Sequence, residues 1–234
     1  MNKTEKIGII GGGISGLSAA WHLSKESNVV LFEKNDYLGG HAHTVKVRDN
    51  NNEIFIDTGF MVFNDENYPN LLKLFDNLEI NSYSSNMSFS LSIDSLNYEY
   101  SGSGLIGYFG QIKNLLNYQH WKQLINIRKF YLSAEKNIVK YNKNTSLEEF
   151  LRSEKYPNYF IQNHVIPMCS AIWSCNPEKM LDYPAFDFVR FFANHGLFKI
   201  SKRPLWKSII GGSMRYVDGI LNSSSFDTKL NTEI

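Results

Sequence analysis

The chain has 234 residues, 43% hydrophobic and 20% charged, which is enough apolar side chain for one large or two small globular domains and excludes a disordered polar chain. A formal net charge of +1, with Lys and Arg spread out, gives no electrostatic footprint for nucleic acid. No run of 18 apolar residues occurs, so no transmembrane helix is predicted, while peripheral membrane contact stays open.

In chain order, Ile7-Gly8-Ile9-Ile10 is a short apolar run that suits a buried parallel strand. Lys3 and Lys6 precede it as in a secretory signal, but Gly8, Gly11, Gly12 and Gly13 interrupt the stretch and argue against that reading. Ile14 to Ser24 carries apolar residues at helical spacing, and Val29 to Phe32 is a second buried strand, completing a βαβ unit. Val45 and Val47 then alternate toward Asp49-Asn50-Asn51-Asn52, a hairpin turn, and Ile54-Phe55-Ile56 returns. Tyr68 to Leu78 reads as a helix. Met87, Phe89, Leu91 and Ile93 alternate as a strand that Asp94-Ser95 turns into Leu96 to Tyr100.

Past the corner Ser101-Gly102-Ser103-Gly104 the chain turns helical, with Trp121, Leu124, Ile125, Arg128 and Leu132 on one face. Thr145-Ser146-Leu147-Glu148-Glu149 holds two overlapping capping boxes. Helices are predicted over Asn158 to Ser174 and Pro184 to Asn194, the latter stopped by Gly196. A short helix follows Gly211-Gly212 to Leu221, and Thr228 to Ile234 looks like the start of a strand with no partner left.

Gly11-Gly12-Gly13-Ile14-Ser15-Gly16 satisfies GxGxxG between a strand and a helix. Gly11 permits the tight turn, Gly13 a close approach of a pyrophosphate, and Gly16 close packing of helix on strand. Phosphates would rest on the helix N-terminus, at Ile14 and Ser15, where unpaired N–H groups meet the positive end of the dipole. Glu33 follows 17 residues after Gly16, at a strand end where a carboxylate accepts ribose hydroxyls and repels a 2′-phosphate. FAD or NAD is therefore expected over NADP.

The stretch Glu33-Lys34-Asn35-Asp36-Tyr37-Leu38-Gly39-Gly40-His41 resembles the second signature of the amine oxidase, phytoene desaturase and protoporphyrinogen oxidase superfamily. There the acid and the Gly-Gly pair bring main chain alongside the FAD diphosphate. Asp57-Thr58-Gly59-Phe60-Met61 resembles the element that sets glycine backbone near the flavin ring. Gly39 to Val45, Tyr68-Pro69-Asn70-Leu71, Met87 to Ser90, Ala171 to Ser174, Pro204-Leu205-Trp206 and Gly211-Gly212-Ser213 are similar to a bacterial group of amine-oxidase-like flavoproteins. Its members are often encoded beside cyclopropane-fatty-acyl-type methyltransferases. The resemblance implies FAD as cofactor, held by Gly11, Gly13, Ile14, Ser15, Gly16, Glu33, Lys34, Gly39, Gly40, His41, Gly59, Phe60, Met61 and Ile234. His41 stands where the superfamily commonly has Arg. The relatives are longer, which implies a C-terminally truncated chain, and Ile234 matches the position whose backbone meets the adenine.

The fold expected is α/β: a Rossmann-like FAD-binding domain over 1–66 and 205–234, with an inserted mixed α+β substrate domain over 67–204. The expected function is a cytoplasmic FAD-dependent oxidoreductase that moves a hydride from an apolar amine or lipid-like small molecule to flavin. The alternatives are a truncated, non-catalytic FAD-binding domain and an NAD-binding dehydrogenase. No catalytic residue and no oligomeric state is assigned. Asp57 reads as a turn-fixing residue more than an acid or base. His41 and His43 lack a third ligand, so no metal is expected. Cys169 and Cys175 are expected to be reduced and structural. Trp173, Phe191, Phe192 and His195 read as core more than as the wall of a substrate cavity.

Overall fold

A computed structural model of the protein describes residues 5–50, 52–173, 176–199 and 203–234. They divide into two units, one of residues up to Asn86 together with Leu205–Ile234, the other Met87–Pro204.

The first unit starts with strand β1 (Lys6–Ile10), helix α1 (Ile14–Leu23) and strand β2 (Asn28–Phe32), parallel to β1 with Ile7 opposite Val29 and Ile9 opposite Leu31. Helix α1 buries Leu17, Ala20 and Trp21. It comes so close to the turn before it that a Cβ on Gly16 would sit 1.9 Å from the Gly11 carbonyl oxygen, so only glycine fits. Strands β3 (Thr44–Asp49) and β4 (Asn52–Asp57) form the expected hairpin, with Thr44 opposite Asp57 and Asn50 in the left-handed region that asparagine tolerates. Strand β5 (Phe63–Asn64), helix α2 (Pro69–Asn77), with proline where a helix needs no N–H, and strand β6 (Ser82–Ser85) complete this half.

The second unit opens with the hairpin β7 (Ser90–Ile93) and β8 (Tyr98–Ser101) around a 3-10 turn, followed by α3 (Gly104–Tyr108) and a 3-10 segment, Ile112–Leu116. Helix α4 (Tyr118–Ile138) is capped by the Asn117 side chain, which accepts from the Gln119 and His120 amides. In α5 (Leu147–Ser153) the Ser146 hydroxyl accepts from the Glu149 amide at 3.1 Å, one of the two capping boxes. Then come α6 (Asn158–Phe160), a π turn (Ile161–Val165), α7 (Ile166–Trp173) and α8 (Ala185–Asn194). Their core is aromatic: Phe130, Phe150, Phe160, Phe188 and Phe192 are all buried, with the Phe188 and Phe192 rings 4.2 Å apart.

Strand β9 (Trp206–Ile209), helix α9 (Met214–Asn222) and strand β10 (Asp227–Lys229) return to the first unit. Strand β9 lies antiparallel between β5 and β6, and β10 lies parallel to β2, so the Rossmann-like sheet runs β1-β2-β10. Leu17, Leu31, Val217 and Ile220 share its core, and the Trp21 indole donates to Ser223 Oγ at 2.9 Å.

Several expectations need correction. The strand read as Thr228 to Ile234 without a partner is β10, which pairs with β2 and ends at Lys229, because Asn231 turns through a positive φ. Residues 67–86 fall in the first unit and not in the inserted one, because Leu74 and Phe75 join the core of Leu17 and Ile220 and because Ser82–Ser85 pairs with β9. The strand expected from Met87 begins at Ser90. The helix expected unbroken over 158–174 contains the π turn. Pro167 has no N–H for the carbonyl of Asn163 four residues back, and the Tyr100 hydroxyl donates to that carbonyl instead, at 2.9 Å. Ser174 and Cys175 lie outside the described residues; Cys169 is buried.

Candidate functional site

The turn from β1 into α1 is built by main chain holding main chain. Gly11, at φ +98, donates its amide to the Phe32 carbonyl at 2.8 Å, and the Gly39 amide donates to the Gly12 carbonyl at 2.8 Å. The two glycine segments lie so close that a Cβ on Gly40 would sit 3.1 Å from the Gly13 Cα. Gly13 is the N-cap residue of α1 and brings no side chain to satisfy the first-turn amides, which have no acceptor inside the helix. A Cβ placed on Gly13 meets nothing within 4 Å. Open space, unpaired N–H groups and the positive end of a helix dipole thus coincide, the combination that receives an anion.

That space is a cleft of about 540 Å³. Its lining combines the glycines Gly11, Gly13, Gly16, Gly39 and Gly40 with the aromatic and aliphatic side chains of Phe60, Tyr68, Leu71 and Tyr216. The Phe60 ring lies edge-on to Tyr68 at 6.2 Å and to Tyr216 at 6.5 Å. Burial pushes both tyrosine hydroxyls above their ordinary range, Tyr216 up to about 12 with Asp57 adding to the effect, so both stay protonated. Main chain also joins the two sides of the hairpin base. The Phe60 amide donates to the His41 carbonyl at 2.7 Å and the Thr58 amide to the His43 carbonyl at 2.9 Å, and a Cβ on Gly59 would strike the His41 carbonyl oxygen at 2.3 Å.

Glu33 stands behind the glycine loop. One carboxylate oxygen accepts from the Gly12 amide at 2.6 Å, the other from the Asn35 amide at 2.9 Å and the Asn35 side-chain nitrogen at 2.8 Å. These amides, Asn35 first and Gly12 second, hold its carboxyl below the ordinary carboxylate value. Both oxygens of this nearly buried side chain are thus engaged by protein donors, and the Lys34 amide adds to the lowering.

Asp57 has a different task from proton transfer. Its Oδ1 accepts from Thr44 Oγ1 at 2.6 Å and from the Ser213 amide and hydroxyl, both at 2.8 Å, and Thr44 Oγ1 accepts from the Met214 amide at 3.0 Å. Asp57 and Thr44 therefore cap α9 and tie it to the hairpin. His43 bonds Thr58 Oγ1 through Nδ1 at 2.7 Å. Among the described residues no group of three or more His, Cys, Asp or Glu side chains is placed to hold a metal. In the second unit Trp173 packs on Phe191 at 4.9 Å and Phe191 stacks on His195 at 4.0 Å, within the aromatic core.

Of the residues singled out in the sequence, Gly11, Gly13, Ile14, Ser15, Gly16, Gly39, Gly40, His41 and Phe60 are brought together on the cleft. Glu33 and Gly59 support it from behind. Lys34, Met61 and Ile234 are not among its lining residues, and Ile234 is 69% exposed. Ile10, Ala42 and Tyr216 line it without having been assigned to the cofactor from the sequence. Tyr68 and Leu71 carried a signal, the Tyr68-Pro69-Asn70-Leu71 motif, but Tyr216 sits in an ordinary amphipathic helix and left none.

Residues 9–78 match the family described as NAD(P)-binding Rossmann-like domain. A 1-hydroxycarotenoid 3,4-desaturase from Flavobacterium sp. (strain P99-3) is 50% identical over 44 residues, 18% of this chain and 9% of the desaturase. An oxidoreductase from Methanosarcina mazei superposes with a TM-score of 0.61 at 17% identity, over 97% of this chain and 51% of that one. Putrescine oxidase bound to putrescine gives 0.60 at 18% identity, over 97% and 51%. The chain thus spans about half the length of these solved structures and shares their fold over that half.

Proposed function

We propose that the cleft holds FAD and that the chain is the cofactor-binding part of an amine-oxidase-like oxidoreductase that removes a hydride from an apolar amine or lipid-like small molecule. The observation that carries this is Gly13, whose missing Cβ opens onto the cleft at the start of α1 while the Cβ positions of Gly16, Gly39 and Gly59 are blocked by backbone. A cradle left open by the missing Cβ, in a cleft that also has aromatic walls, fits a diphosphate joined to a planar ring system. Putrescine oxidase and the carotenoid desaturase, an amine and a lipid enzyme by name, support the two substrate classes.

The first-turn amides of α1 would neutralise the diphosphate, and Glu33 would face a ribose hydroxyl while fixing Gly12 and Asn35. Phe60, Tyr68, Leu71 and Tyr216 would exclude water, and the two tyrosines, kept neutral by burial, would donate or accept at their hydroxyls without changing charge. When bound, FAD supplies the hydride acceptor, and no protein nucleophile is needed. We assign the second unit, Met87–Pro204, to the substrate side.

The experiment is a titration of the purified chain with FAD and with NAD, followed by flavin fluorescence and calorimetry, and then addition of putrescine under anaerobic conditions. FAD binding with flavin bleaching by an amine is the expected result. NAD binding without FAD binding overturns the reading in favour of a dehydrogenase, which the name of the family match favours. FAD binding without bleaching by putrescine leaves the chain a cofactor-binding domain and removes the amine from the reading.

A further inference from the structure

Helix α4 is apolar on two opposite sides. Its inward side carries His120, Gln123, Phe130 and Ala134, all buried. At about 3.6 residues per turn, Tyr118, Trp121, Ile125 and Leu132 fall within about one sixth of a turn of one another on the other side, and all four are exposed. Of the face that sequence periodicity picks out through Trp121, Leu124, Ile125, Arg128 and Leu132, all but Leu124 lie on the outside of this unit, and Leu124 is half-buried against the cluster of Tyr98, Tyr100 and Tyr108.

The segment before α4 extends the same surface. The Trp121 indole donates to the Leu115 carbonyl at 2.9 Å and its ring lies 4.7 Å from Phe109, which pins the start of α4 to the 3-10 segment and the end of α3. Inward anchoring falls to Tyr108, whose hydroxyl donates to the His120 carbonyl at 2.9 Å, and to Asn114, which donates to the Glu99 carbonyl at 3.0 Å. With those two turned in, the aliphatic residues turn out: Ile106 is 91% exposed, Ile112 82% and Leu116 93%. Scattered exposed apolar residues are ordinary on a soluble surface; three aliphatic tips this exposed between Ile106 and Leu116 are not.

Charge says what the surface faces. From residue 100 through 134 the chain has no Asp or Glu, while Lys113, Lys122, Arg128 and Lys129 are all present and exposed. The Lys122 ammonium sits 4.5 Å over the Tyr118 ring, at the edge of the apolar stripe. Aliphatic tips for the acyl region, Trp and Tyr for the headgroup level and a basic rim for anionic headgroups make up the composition of an element that lies in a membrane interface. A second copy of this face would oppose cations to cations, which disfavours self-association through it. Among the described residues no helix is long and apolar enough to cross a membrane.

We propose that the face formed by α3, the Ile112–Leu116 segment and the outer side of α4 docks onto an anionic lipid surface. This does not rest on the cofactor reading. The test is flotation of the full chain with vesicles of phosphatidylcholine alone and of phosphatidylcholine with phosphatidylglycerol, beside light scattering of the chain without lipid. The chain is expected to float with the anionic vesicles and to be released by salt. Ile106→Ser with Leu116→Ser, at nearly fully exposed sites, is expected to lower partitioning at least about tenfold with an unchanged circular dichroism spectrum. Lys113→Gln and Lys122→Gln are each expected to weaken binding about fivefold to the anionic vesicles alone. The proposal is overturned if the chain stays unbound with anionic vesicles, or if the serine variant floats like the parent. It is equally overturned if the chain is a dimer that the serine variant converts to monomer while neither floats, because the face is then an interface between copies.

Discussion

In the first unit the cleft is bounded at its glycines by main chain, with the Gly11, Gly12 and Gly39 amides holding the loop and a single carboxylate, Glu33, bracing it from behind. In the second unit one buried polar cluster is made of side chains locked to one another. Tyr100 gives its proton to the Asn163 carbonyl and so accepts from Nδ1 of His164 at 2.9 Å, which leaves Nε2 of His164 to accept from Tyr131 at 3.3 Å. The first arrangement depends on the absence of side chains at set positions and keeps unpaired amides for a ligand. The second ties Tyr100, His164 and Tyr131 to one another and is bounded by an aromatic core. Loss of packing should therefore injure the second unit most, and the addition of one methyl should injure the first.

The largest effect is expected from Phe188→Ala. Phe188 is fully buried and its ring lies 4.2 Å from Phe192 and 6.2 Å from Phe130. Truncation should cost about 3–5 kcal/mol of stability, read by denaturant unfolding. It should leave FAD affinity within about twofold at temperatures where the variant stays folded; a larger loss of affinity would show that the units are not separable in this sense. Gly16→Ala should come next. Its Cβ meets the Gly11 carbonyl oxygen at 1.9 Å, so α1 must move off the turn, at a cost of about 1–3 kcal/mol together with loss of dinucleotide binding.

Acid should separate the units more gently. Burial pushes the His164 imidazole down to about 3, so the unfolded chain takes up a proton near pH 6.5 that the native state refuses. The contribution is whole above about pH 6.5 and is lost as pH falls toward 3, by about 1.4 kcal/mol per pH unit. Glu33 behaves in the other window. Its carboxyl is held below 4.5, so its contribution is whole above that value and is lost only as pH falls through the lower native value. Between about pH 6 and 5, near-ultraviolet dichroism should report weakening that His164→Gln reduces, with buried His120, whose imidazole burial also lowers, supplying the remainder, while Glu33→Gln should alter only the more acidic limb. The same pH dependence in the His164→Gln variant as in the parent would remove His164 from the account.

The same contrast explains what was legible in the sequence. A site made of main chain needs glycine where φ is positive, as at Gly11 and Gly39, or where backbone meets backbone, as at Gly16 and Gly59. Those needs recur at fixed spacing, so βαβ, hairpin and cleft floor were readable in the first sixty residues. Tyr216 was not, since its place on the cleft comes from how α9 is capped by Asp57 and Thr44, more than 150 residues earlier in the chain. Strand β9 hid for a similar reason: its partners Phe63–Asn64 and Ser82–Ser85 are distant in sequence and mostly polar. The outer face of α4 shows the limit of periodicity. It marked an apolar stripe through Trp121, Ile125 and Leu132 and gave no sign of which side faced out, because the inward face is built partly from His120 and Gln123.

Gly13→Ala should have the smallest effect on the fold and the most informative effect on binding. Gly13 sits at φ −74 and ψ −179, extended backbone that alanine adopts without strain, and its added Cβ meets nothing within 4 Å. Stability should stay level or rise by about 0.4–1 kcal/mol, because alanine restricts the unfolded chain. The methyl nevertheless projects where a diphosphate has to approach the first turn of α1, so FAD affinity should fall at least tenfold by calorimetry. Unchanged affinity would mean that no phosphate comes near this turn. A loss of stability would mean that the space before Gly13 is filled by the protein itself, in which case the contrast between a cleft of bare backbone and a core of interlocked side chains would no longer hold.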